Sequence, residues 1–293
     1  MTFPSVTPGQ SYVDWRMHIL SLFSQKEAAR EFYWILDACA HKDLPGVLWK
    51  LETDPKARPL YMNTYKEEVS AAGPFILPAA GNHAVTRWIF DEGWKHPLGC
   101  LAEIAPGSYA LVFDHLQQQL ECRLENDRPA LFRWFDPRIL YGLSTYSERE
   151  DELAGFMGPV LNFHAWEPGR CCGITYRTIR ELGEINREFR HCVDELFDHI
   201  WNETMIHSII GTMGGSQGVR LREMPLPEAY RLGEKVADVL SRAGYADRRS
   251  LAYGMSLTVR LGPYIWDEPR VVEALAERPR NAPLTEVLDE VGL

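Results

Sequence analysis

The chain has 293 residues, room for one large domain or two smaller ones with an ample core. Its hydrophobic fraction of 45% is that of an ordinary globular protein. Lys and Arg total 31 against 41 Asp and Glu, a formal charge of −10. With no Lys/Arg block, this argues against nucleic acid and anionic membrane as partners.

The first residues lack a basic segment followed by an apolar one, and no apolar run approaches the roughly 20 residues of a membrane-spanning helix. A cytoplasmic protein without membrane insertion is expected. Val13, Met17, Leu20, Phe23 and Ala28 fall near helical spacing, which predicts a leading amphipathic helix over 11–28 with that stripe inward. Residues 31–38 read as a strand. Leu60–Met62 and Phe75–Leu77 read as short strands flanking a helix, where Thr64 and Glu67 have capping-box spacing. Helices are expected over 83–93, with Val85, Trp88 and Ile89 inward, and over 108–121. Strands are expected over 98–104 and, briefly, 123–125.

Residues 130–135 are an apolar run holding Arg133 and read as a buried strand. A buried charge needs a partner, and Asp37 is the first candidate. Asp136-Pro137-Arg138 then stops the strand and opens a helix, with Asp136 as N-cap and Pro137 in the first turn. Gly158-Pro159 closes that helix, and a second apolar strand ends near Trp166. Residues 168–173 read as a turn.

From Thr175 onward almost nothing reads as strand. A helical pattern runs from Ile179 towards Ile210, the Gly-rich stretch 211–218 breaks it, and helices follow near 227–243, 247–261, 267–277 and 284–291. Asp247 and Asp267 are placed as N-caps. The expected fold is an α/β (α+β) N-terminal lobe over residues 1–170, with a mixed sheet flanked by helices. An all-α lobe over 176–293 follows it.

Catalytic signals are weak. The six cysteines form no C-x-x-C pair and read as reduced, structural residues. His191, Glu195, His199, Glu203 and His207 recur every four residues and could bind a metal, but that spacing drifts roughly 40° per step on a helix. The solvated face of an amphipathic helix is the better reading. The 211–218 stretch lacks the Lys-Ser/Thr of a phosphate-binding loop and reads as a linker. No G-x-S-x-G elbow marks a nucleophile, and His115 and His164 read as structural histidines.

One segment carries more. Arg133, Trp134, Phe135, Asp136, Pro137 and Arg138, followed by Phe156, Gly158, Pro159 and Trp166, resemble the signature of the type VI secretion effector chaperones or adaptors (Tap/Tec type). Asp37 at the end of the first strand, Pro59-Leu60-Tyr61, and Gly73-Pro74 echo the same family upstream. The resemblance implies a non-enzymatic adaptor with no cofactor, no metal and no catalytic residue. Its implied partners are a cognate effector toxin and the VgrG spike, met directly or through the PAAR tip. The signature residues are then framework. Cargo contact is expected from the helical lobe, with Tyr245, Tyr253, Met255, Tyr264 and Trp266 as candidate partner-binding residues. A metal-dependent hydrolase with a helical lid and an immunity protein are the competing classes.

Overall fold

A computed structural model describes residues 2–7, 10–25, 30–64, 67–123, 129–146, 155–178, 194–277 and 282–293. They fall into two compact units, Met1–Glu203 and Thr204–Leu293.

The first unit is built on a seven-stranded sheet. Its strands are β1 (Thr2–Thr7), β2 (Glu31–Asp37), β3 (Arg58–Pro59), β4 (Pro74–Pro78), β5 (Gly99–Ile104), β8 (Val160–Glu167) and β9 (Cys172–Thr178). Their spatial order is β1-β9-β8-β5-β2-β4-β3. Every described pairing is antiparallel, so the expected mixed sheet is an antiparallel one. The short strands β6 (Glu121–Arg123) and β7 (Pro129–Leu131) form a separate two-stranded sheet.

Side chains alternate across the sheet, as a two-residue period requires. Ile35, Ile76, Cys100, Ala102, Phe163 and Tyr176 belong to one apolar core. It also takes in α4 (Tyr109–Gln118) and α5 (Pro137–Thr145). Trp34, Leu36, Phe75, Leu77, Leu101 and Trp166 belong to the core of the other face. That core is covered by α1 (Tyr12–Ser24), α2 (Leu44–Leu51) and α3 (Ala84–Glu92).

Four further expectations are corrected in this unit. Helix α1 buries Trp15, Ile19 and Leu22, whereas Val13 and Met17 are 65% and 59% exposed. The helix is apolar on two sides, and the aromatic side goes inward. Residues 132–135 are not a strand: the Phe132 amide still donates to the Leu120 carbonyl at 3.0 Å, and the chain then turns, with Phe132, Trp134 and Phe135 buried. Strand β9 continues the sheet past the expected end of strand structure at Thr175, with Ile174 and Tyr176 inward. The helix expected after Thr64 is a 3-10 turn over Glu67–Ala72, and the Thr64 hydroxyl donates to the Tyr61 carbonyl.

Helix α6 (Asp194–Thr212) contains the division between the units. The second unit continues with α7 (Gly215–Glu223), α8 (Leu226–Arg242), α9 (Arg248–Leu261), a 3-10 turn (Pro263–Asp267), α10 (Pro269–Glu277) and α11 (Leu284–Asp289). The Gly-rich linker is shorter than expected, since Gly215–Gly218 already lie in α7. Asp247 caps α9 as expected, accepting from the Arg249 and Ser250 amides at 3.0 Å. Asp267 instead ends the 3-10 turn and accepts from Lys235 Nζ at 2.9 Å. Among the described residues, no helix is long and apolar enough to cross a membrane.

Candidate functional site

The signature residues converge at the end of β2. Asp37 is buried as the last residue of that strand, opposite Pro74 of β4. One carboxylate oxygen accepts from the Cys39 amide at 2.9 Å, and the other takes the Arg133 guanidinium. Burial outweighs that guanidinium and holds the Asp37 carboxyl above its ordinary value. Arg133 is therefore paired as read from the sequence, although from a turn and with 34% of its side chain exposed.

Asp136 lies beside this pair and is buried. It caps α5 by accepting from the Arg138 amide at 3.0 Å, and it also takes Arg138 Nε at 2.8 Å and Nη2 at 2.5 Å. Burial alone would raise its pKa, but the Arg138 charge and hydrogen bonds outweigh burial and hold it below the ordinary carboxylate range. Pro137 occupies the first turn of α5, where its missing N–H costs nothing.

The remaining signature residues are packing elements. A side chain at Gly73 would run into the Tyr61 ring. Gly158 has φ +51°, and a Cβ there would strike the His115 imidazole. His115 Nε2 lies 2.8 Å from the Phe156 carbonyl oxygen, so this close approach ties α4 to the residues before β8. Phe156 is fully buried among Phe132, Trp134, Phe163 and Tyr176. Pro159 leads into β8. Trp166 lies on the other face, 6.0 Å from Trp15 between ring centroids.

A second polar group was not singled out in the sequence. Glu103 of β5 is buried on the face under α1. It takes Arg30, and it accepts from Asn162 Nδ2 at 2.7 Å. His164 Nε2 lies 3.5 Å from it, and His164 Nδ1 lies 3.2 Å from the Thr175 hydroxyl. Burial pushes the Glu103 carboxyl up, but His164, Asn162 and Arg30 hold it below its ordinary value. His18 of α1 stands edge-on to the His164 ring at 5.7 Å. A signal existed, because three ionisable or amide residues at 103, 162 and 164 interrupt strands that otherwise read as apolar.

The four-residue ladder on α6 does not act together. His191 lies outside the described residues. Glu195 is exposed, His199 lies 3.0 Å from the Thr145 hydroxyl, and Glu203 accepts from Arg170 Nη2 at 2.6 Å. His207 is buried with its ring 4.6 Å from that of Tyr230, so this is no uniform solvated face. Among the described residues, no group of three or more His, Cys, Asp or Glu is placed to hold a metal ion. Cys39, Cys100, Cys122, Cys171 and Cys172 are free thiols. Cys192 lies outside the described residues.

Of the five candidate partner-binding residues, Tyr245, Met255 and Trp266 are buried in the core of the second unit. The Tyr245 hydroxyl donates to the Ala282 carbonyl and the Trp266 indole to the Thr258 hydroxyl, each at 2.8 Å. Tyr253 is half-buried, and Tyr264 is 78% exposed.

No curated protein and no solved structure matches the chain. A family model described as a domain of unknown function, DUF4123, matches residues 32–152, from β2 to just beyond α5. That segment, less than half of the chain, contains both acid–arginine pairs, Asp37–Arg133 and Asp136–Arg138.

Proposed function

We propose that this protein is an adaptor of the type VI secretion system, which binds one toxin effector in the cytoplasm and helps to load it onto the VgrG spike. The observation that carries this reading is the DUF4123 match over residues 32–152, a domain associated with that system. The use of the signature residues supports it. Asp37, Arg133, Asp136 and Arg138 spend their charges on one another, and Gly73 and Gly158 permit close packing. Such a framework holds a surface steady and needs no chemistry of its own. Co-expression with the toxin from the same gene neighbourhood tests the reading. A complex that co-purifies is expected, and a toxin that never associates with this chain contradicts it.

A further inference from the structure

Helix α1 is held to its surroundings differently in its two halves. Near its start the Tyr12 hydroxyl donates to the Phe90 carbonyl at 3.0 Å, and Trp15 packs against Phe90 and Trp166 with ring centroids 6.1 and 6.0 Å away. In the second half the Ser21 hydroxyl donates to the His18 carbonyl at 2.7 Å and the Ser24 hydroxyl to the Leu20 carbonyl at 3.1 Å, so both bonds stay within the helix. That half is fastened by the burial of Ile19 and Leu22, by Phe23 edge-on to Phe32, and by the His18 ring against His164 of β8. A segment fastened mainly by a few apolar contacts can open by itself, ahead of the whole fold.

The charges beneath that half are unbalanced. His164 is buried, 3.5 Å from Glu103 and 3.2 Å from the Thr175 hydroxyl. Glu103 already takes Arg30 and the Asn162 amide. Arg177 of β9 lies directly opposite Asn162 and adds its positive charge near His18. Among the described residues, the sheet side therefore sets two arginines and a histidine against one carboxylate. On α1 itself, Asp14, one turn before His18, accepts from the Ser11 hydroxyl at 2.7 Å, and Arg16 lies over the Phe90 ring. We infer that α1 is an acid-sensitive latch, whose second half lifts from the sheet when His18 takes a proton beside His164 and Arg177. Burial, His164 and Arg177 hold His18 below the ordinary 6.5, and Glu103 opposes them without prevailing. Away from the sheet, His18 regains its ordinary affinity for the proton. The lifted helix therefore binds the proton more tightly than the seated one, and acid favours lifting. The parts uncovered are Ile19 and Leu22 on the helix and the apolar sheet face around Leu101 beneath it.

Native-state hydrogen exchange on the full chain tests the latch, with rates corrected for the intrinsic effect of pH on exchange. The Ile19 and Leu22 amides should exchange faster than those of Ile35 and Leu36 in β2, because α1 opens without the sheet. Their protection should fall by about threefold or more between pH 7.5 and 5.5. His18→Gln, at an exposed position, should abolish that fall. His115→Gln, on the other face of the sheet, should leave it in place. Proton uptake by the His18 ring, followed by NMR, should lie below 6.5 and coincide with the fall. Equal exchange of the α1 and β2 amides at both pH values means that the helix opens only with the whole molecule, and overturns the latch. Unchanged protection while His18 titrates means that the ring swings into solvent alone, and overturns it too. A fall that persists in His18→Gln overturns His18 as its trigger.

Discussion

The two units are held together by different means. The first buries charge, with Asp37, Glu103 and Asp136 all beneath the surface and each taking an arginine. In the second, the ion pairs Lys235–Asp267, Arg242–Asp238 and Arg270–Glu268 are exposed. Its core is mainly apolar, with the Tyr245 hydroxyl donating to the Ala282 carbonyl and the Trp266 indole to the Thr258 hydroxyl. Breaking a buried ion pair strands a charge, whereas truncating an apolar side chain leaves a cavity. The first arrangement fixes geometry and tolerates little change. The second leaves the surface free to vary.

Asp136→Ala offers the strongest challenge to this contrast. It removes the α5 cap and leaves Arg138 without its carboxylate, so unfolding stability should fall by about 3–5 kcal/mol. Chemical denaturation of the full chain measures it, and a loss under about 1 kcal/mol would mean that the buried charge is not structural. In the second unit, Met255→Ala should cost about 2–5 kcal/mol as a cavity effect, and Met255→Leu should recover most of it. Failure of the Leu variant to recover stability would show that Met255 does more than fill space.

Arg133→Ala should cost less, about 1–3 kcal/mol, because a third of the side chain reaches solvent and screens the charge left on Asp37. A double-mutant cycle with Asp37→Ala isolates the pair, and a coupling near zero would break the link between β2 and the signature turn.

Acidification sharpens the comparison further. Burial holds His18 and His115 below the ordinary 6.5, and for His18 the neighbouring His164 and Arg177 add to this. A histidine with a lowered folded pKa binds its proton more weakly when folded. Its stabilising contribution is complete above pH 6.5 and is lost as pH falls below it. Asp136 and Glu103 add losses below about 3.8 and 4.5 as they are protonated, while the raised Asp37 acts in the opposite sense. Melting temperature should therefore drop between pH 7.5 and 5.5. His115→Gln, which keeps a donor for the Phe156 carbonyl, should flatten that drop. A rise in melting temperature on acidification contradicts the assignment.

The smallest effect is expected at Tyr264. Tyr264→Ala should change stability by less than about 0.5 kcal/mol, since the side chain is exposed.

The residues that had to be paired or to start a helix were the legible ones. The Asp37–Arg133 contact follows from the cost of a lone buried charge, and the Asp136 cap follows from Asp-Pro at a helix start. Apolar runs misled where burial and ladder formation part company. Phe132, Trp134 and Phe135 are buried in a turn, and the stripe of Val13 and Met17 is one of two apolar sides of α1. Strand β9 was missed although Ile174 and Tyr176 alternate with Thr175 and Arg177, because it follows the turn at 168–171 closely and is only seven residues long. Because β9 pairs with both β1 and β8, a truncation near residue 170 would cut the sheet. The Glu103 group is formed by residues far apart in the chain, and only the fold brings them together.

The most direct measurement of the adaptor reading is secretion in a strain lacking this gene. Export of the cognate toxin should be lost, export of other type VI effectors should persist, and the full-length chain supplied in trans should restore it. Unchanged secretion of the toxin in the deletion strain would contradict the account.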